Sequence, residues 1–143
     1  MTVNAILSRK GHDVVTIEPT ATLNDAVKML GTRRIGAVVV TGADHRVVGI
    51  LSERDIVRTL ALQGAGALAQ SVSESMTRKV QTCGQNDTIP DIMERMTSGK
   101  FRHVPVVEQG RLVGIVSIGD VVKSRLEQME RESDALRDYI RTA

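Results

Sequence analysis

One phrase occurs twice in this chain, and that duplication limits the fold more than any other feature. The first copy is Gly49-Ile50-Leu51-Ser52-Glu53-Arg54-Asp55-Ile56-Val57, and the second is Gly114-Ile115-Val116-Ser117-Ile118-Gly119-Asp120-Val121-Val122. Each reads as a buried strand running directly into a helix, with Ser at the junction and Asp three residues on. Taken singly, Ser-x-x-Asp ahead of an apolar-periodic run is helix capping, with Asp where Glu or Gln usually stands. The surroundings repeat as well. Thr16/Thr82, Thr22/Thr88, Asp25/Asp91, Val38/Val104 and Val40/Val106 are all 66 positions apart. After a turn shortened by one residue, Gly49/Gly114, Ser52/Ser117 and Asp55/Asp120 are 65 apart. Two copies of roughly 60 residues are too few for a solenoid. They imply a mixed α/β fold of two pseudo-two-fold-related β-α-β-β-α repeats. The repeats pack through their sheets, because each small sheet must bury one face and the other copy can cover it.

The elements follow in order. Thr2 to Ser8 is expected to start a short helix, with Val3, Ile6 and Leu7 on one face. Val14 to Ile17 reads as a short strand stopped by Pro19. Thr22 caps a helix with Leu23, Ala26, Val27 and Leu30 at helical spacing. Ile35 to Val40 and Val47 to Leu51 form a hairpin around Gly42 and Asp44. Ser52 then opens a helix that ends near Gly64. Residues 65–78 read as a linker with one helical turn at Val72 to Met76. The pattern restarts with a strand at Lys79 to Cys83, a helix capped by Thr88, strands at His103–Val107 and Leu112–Val116, and a helix opened by Ser117. The expected division is 1–64 for repeat one with its N-terminal helix, 65–78 for the linker, 79–124 for repeat two, and 125–143 for an extended C-terminal helix.

The ordered duplicate, with the Phe101-Arg102-His103-Val104-Pro105-Val106-Val107 stretch, resembles a tandem pair of cystathionine-β-synthase (CBS) domains, the Bateman module. The resemblance runs from about Val3 to Leu126. It implies binding of an adenosine-containing ligand (AMP, ADP, ATP, NAD or S-adenosylmethionine) in clefts between the repeats, with occupancy reported to a partner. The chemistry agrees. A carboxylate such as Asp55 or Asp120 offers charged acceptors to both ribose hydroxyls. Ser52 and Ser117 sit among free N–H groups at the positive end of a helix dipole, where phosphate is favoured. Thr16-Ile17, Thr82-Cys83, Val38-Val39 and Val104-Pro105 are then expected to line an apolar slot for adenine. Arg54, Arg102 and His103 are the candidate phosphate contacts. Arg33, Arg34 and Lys100 read as cations at solvated helix ends.

Composition removes other classes. Net charge is only +2, and Phe101 and Tyr139 are the sole aromatics, so nucleic-acid binding has neither a basic block nor stacking residues. No apolar run approaches the ~18 residues of a membrane span, and no apolar leader core opens the chain. A soluble, cytoplasmic protein is expected. No His lies beside a nucleophilic Ser with an orienting carboxylate, and no Gly-x-Ser-x-Gly elbow occurs, so no catalytic residues are assigned. His12, His45 and His103 lack ligand spacing, so neither a metal nor a required cofactor is expected. Cys83 reads as a small buried hydrophobe.

The tail carries its own signal. Val122, Leu126, Met129, Ser133, Leu136 and Ile140 alternate spacings of four and three, a heptad seam with one polar member. Glu127 and Arg131 are ordered for an i,i+4 pair. The expectation is a nucleotide-sensing, non-enzymatic module that forms a homodimer partly through this seam and reports to a protein partner. The competing reading is a ligand-free scaffold dimer in which both Ser-x-x-Asp boxes only cap helices.

Overall fold

The computed structural model describes residues 1–142. Its elements are α1 (Val3–Lys10), β1 (Thr16–Ile17), α2 (Leu23–Arg33), β2 (Ala37–Thr41), β3 (Val47–Ser52), α3 (Glu53–Gln63), α4 (Val72–Ser75), α5 (Ile89–Gly99), β4 (His103–Glu108), β5 (Arg111–Ser117) and α6 (Ile118–Thr142). The first repeat holds a three-stranded sheet in the order β1-β2-β3, with β1 parallel and β3 antiparallel to β2. The second holds the β4-β5 hairpin. The strand expected at Lys79–Cys83 is reduced to one parallel bridge between Cys83 and Val106. The last residue of the expected tail helix, Ala143, lies outside the described residues.

Local chemistry accounts for the boundaries. Thr22 and Ser52 each close a reciprocal capping box with the Asp three residues on, and Ser117 with Asp120 does the same. Arg34 and Lys100, 66 apart, both end their helices in the left-handed conformation. The shorter second turn is Gln109-Gly110 with φ of 52° and 80°. Positive φ at both central residues suits the right-handed twist of a tight hairpin. The segment Ala65–Ala69, within the expected linker, is a 3₁₀ turn that buries Ala67.

Two aliphatic cores result, and each recruits a helix from the other half of the chain. Leu23, Ala26, Leu30, Val38, Val40, Leu51 and Ile56 pack with Val72 and Met76. Ile89, Ile92, Met96, Val104, Val106, Val116 and Val121 pack with Val3, Ile6 and Leu7. In packing terms α1 therefore sits with the second repeat, not with residues 1–64. The backbone shows the same exchange twice. Val3 N–H donates to Asp87 O at 2.9 Å and Ile89 N–H to Met1 O at 3.1 Å, while Val72 N–H donates to Ala21 O at 2.7 Å and Leu23 N–H to Gln70 O at 2.8 Å. The glycine of each phrase receives the visiting helix. A Cβ on Gly49 would lie 2.9 Å from Met76 Cγ, and one on Gly114 would lie 2.7 Å from Leu7 Cδ2. Between the repeats, Ala37 and Val39 bury the opposite face of β2, and Arg46 of the first hairpin lies against Gly110 of the second.

Candidate functional site

The pairing of repeats leaves a cleft of about 890 Å³ beside the first phrase. Three pieces of chain enclose it: the β3–α3 junction with Ser52, Glu53, Arg54, Asp55 and Arg58; the segment 77–81; and the turn from α5 into β4 with Lys100, Phe101, Arg102 and His103. The capping box holds Ser52 and Asp55 in place. The Glu53 N–H also donates to Gly36 O at 3.0 Å, which ties the helix start to the entrance of β2.

Asp55 is 5% exposed, which is unusual for an unmodified carboxylate. Its Oδ2 accepts from the Ser52 N–H at 2.9 Å and the Ser52 hydroxyl at 3.1 Å. Its Oδ1 accepts from Arg58 at 2.6 Å and from the Thr77 hydroxyl at 3.2 Å, and both of these residues line the cleft. The Arg58 side chain is 65% exposed, so it can leave Oδ1 with little loss. Arg54, Arg58, Lys79, Lys100 and Arg102 give the cleft five cations against Glu53 and Asp55. Ile50, Val57, Val80 and Phe101 supply its apolar wall. The His103 imidazole is held below its usual pKa, first by burial and then by the charge of Lys10, with Glu53 and Asp120 opposing. Its ring lies close to Gly36, where a Cβ would approach Cε1 at 3.4 Å.

The second phrase has a different environment. Lys10 Nζ, at the end of α1, donates to Asp120 Oδ2 at 2.7 Å and to Ile115 O at 3.0 Å. Burial alone would raise the Asp120 pKa. The bonds from Lys10 and Ser117 outweigh it and hold the carboxyl below its usual range. Each Asp thus carries a cation: Lys10 shares Asp120 Oδ2 with the Ser117 N–H, whereas Arg58 sits on Asp55 Oδ1, the oxygen not used by the capping box.

Of the residues singled out from sequence, the structure brings Ser52, Arg54, Asp55, Arg102 and His103 into one cleft, whose lining does not include Ser117 and Asp120, the latter paired with Lys10. None of the residues expected to line an adenine slot lines this cleft. Val38 and Val104 are buried in the two cores, as is Cys83, whose thiol is pushed up to about 12, first by burial and then by the Asp87 charge. Val39 and Pro105 are buried where the sheets meet. Thr16 and Ile17 line a separate concavity with Pro19, Gly42 and His45. Thr82 is exposed, and its carbonyl accepts from Arg95 at 3.0 Å. Where a strand is buried on both faces its side chains go into the packing, and sequence alternation does not reveal the second cover. Lys100, read as a solvated helix end, lines the cleft. Thr77, Lys79, Val80 and Gln81 were not singled out, because Thr77 falls in the expected linker and the other three in the expected strand; a backbone bridge from Thr77 to Ile50 holds this segment at the cleft. Glu127 pairs with Arg9 rather than with Arg131. Among the described residues no cluster of metal-ligating side chains occurs, and no helix is long and apolar enough to cross a membrane.

Two intertwined α/β repeats with a cation-rich cleft between them define a paired ligand-cleft module. The CBS domain model matches residues 3–62 and 70–127, and the chain belongs to the CBS-domain family, carrying the domain twice. It is similar to a CBS-domain containing protein from Agrobacterium tumefaciens, 54% identical with a TM-score of 0.84 over 87% of this chain and 99% of that one. It is also similar to a CBS domain protein from Pyrobaculum aerophilum complexed with AMP, 30% identical with a TM-score of 0.75 over 84% and 89% of the two chains. A mitochondrial CBS domain-containing protein of Arabidopsis thaliana is 34% identical over 83% of this chain, which spans 60% of that relative's length.

Proposed function

We propose that the first cleft binds an adenosine nucleotide carrying phosphate, of which AMP is the simplest, and that the chain is a sensor rather than an enzyme. One observation carries the reading: Asp55 shares a single cleft with Arg54, Lys79, Lys100 and Arg102. The carboxylate suits a ribose diol and the cations suit phosphate. The ribose displaces Arg58 from Oδ1, and Ile50 and Val80 flank the base. Similarity to a CBS protein complexed with AMP supports this assignment. The ligand orders the 77–81 segment and the α5–β4 turn against the first phrase, and a protein partner reads that change. The Lys10 side chain is 32% exposed on Asp120 and that of Arg58 65% exposed on Asp55, so a ligand displaces Arg58 more readily and the first cleft is the principal site.

A specific observation also favours the scaffold reading, since both Ser-x-x-Asp boxes do cap their helices. A thermal-shift series with AMP, ADP, ATP, NAD and S-adenosylmethionine, with guanosine nucleotides as controls, separates the two. One ligand at about 100 Kd adds roughly 2.7 kcal/mol of stability. An unchanged Tm with every adenosine compound at millimolar concentration would support the scaffold. The phosphate assignment has its own check in Arg102→Ala. That variant is expected to lose roughly tenfold or more in AMP affinity while binding adenosine as before. Equal losses for both ligands would remove Arg102 from the phosphate site.

A further inference from the structure

The last helix extends beyond the module that it caps. α6 runs for 25 residues, ~37 Å at ~1.5 Å per residue. Val121 and Ser124 are buried against the second repeat, but every described residue from Met129 onward is exposed. A helical stretch this short is marginal in water without a partner. Its apolar seam of Val122, Leu126, Met129, Leu136 and Ile140 is exposed by 43–65%. Ser133 completes the heptad spacing.

The charges beside the seam select its partner. With Leu126, Ser133 and Ile140 at a positions and Val122, Met129 and Leu136 at d, the charged g positions are Arg125 and Glu132 and the e positions hold Lys123, Glu130 and Arg137. In a parallel pair, each g residue meets the e residue five positions further along the other chain. Arg125 then faces Glu130, and Glu132 faces Arg137, each twice by symmetry. In an antiparallel pair with the seam in register, Glu132 faces Glu132, Glu130 faces Glu130, and Lys123 faces Arg137. The parallel arrangement is attractive at every filled position, and the antiparallel one sets like charges together at three.

We infer that α6 pairs with α6 of a second copy of this chain as a parallel, in-register two-helix coil, with the modules side by side at its N-terminal end. The coil is short and holds a serine in its seam, so the dimer is reversible. This surface is separate from the nucleotide cleft, and its assignment stands or falls independently of ligand binding.

The test uses the full chain in sedimentation equilibrium and chemical crosslinking. The wild type is expected to dimerise in the micromolar range. Glu132→Arg and Arg137→Glu should each weaken the dimer roughly four- to thirtyfold, since two attractive pairs become repulsive. The double variant, or an equimolar mixture of the two single variants, should restore association. Ile140→Cys should form a disulfide-linked dimer on oxidation, because position 140 meets its own copy; Cys83 is buried and does not compete. In the antiparallel pair, position 140 lies opposite 122, ~27 Å away from its own copy. A monomer at tens of micromolar overturns the proposal. So does a dimer that the Ile140→Cys variant fails to crosslink, or one whose affinity is unmoved or strengthened by Arg137→Glu.

Discussion

Gly114→Ala is expected to lower Tm by roughly 4–12 °C, while Gly31→Ala raises it by roughly 2–4 °C. The two substitutions add the same methyl group. At Gly114 that methyl would lie 2.7 Å from Leu7 Cδ2 and 2.9 Å from Cδ1, with Leu7 fully buried. α1 must move off β5 or Leu7 must leave its rotamer, and overpacking of this kind costs about 1–3 kcal/mol. At Gly31, inside α2, no atom lies within 4 Å. There the methyl removes only backbone freedom, which favours the helix by roughly 0.5–1 kcal/mol. For a chain of this length each kcal/mol moves Tm by roughly 4 °C. Differential scanning calorimetry on both variants decides the matter. Equal Tm for Gly114→Ala and wild type would mean that α1 does not dock on the second repeat.

The other large effect concerns the ligand. Asp55→Ala should weaken AMP binding roughly ten- to hundredfold, because hydrogen bonds to a charged group contribute about 1.5–3 kcal/mol. The same variant also loses one half of the α3 capping box, worth about 0.5–2 kcal/mol of stability. Asp55→Asn separates the two roles. The amide keeps a carbonyl for the Ser52 N–H and preserves the shape, but it presents no anion to the ribose. It should fold with nearly the wild-type Tm and still bind AMP roughly tenfold more weakly. Wild-type affinity in both variants would reduce Asp55 to a helix cap.

Much of this was legible in the residues. The constant offset of 66, falling to 65 after the turn, located both hairpins and both capping boxes. The exchange of α1 and α4 was not legible, because Val3-Ile6-Leu7 and Val72-Met76 are interchangeable as apolar faces. Its trace is the glycine that opens each phrase, which matters only once a helix is known to lie on it. That Val38 and Val104 are buried in the two cores was hidden for a related reason. A β-branched run shows that a strand is buried, not what buries it. Within the cleft, sequence found the residues with distinctive chemistry: Ser52, Asp55, Arg102 and His103. It missed Thr77, Lys79 and Val80, whose positions depend on a single backbone bridge to Ile50. The inequality of the two phrases was equally hidden, since Lys10 stands 110 residues from Asp120.

That inequality makes titration calorimetry with AMP the most direct measurement. Wild type and Asp120→Asn should each take up one equivalent per chain with similar affinity, and Asp55→Asn should lose most of that binding. Two equal sites in the wild type, or binding lost in Asp120→Asn and kept in Asp55→Asn, would contradict the assignment of the first cleft.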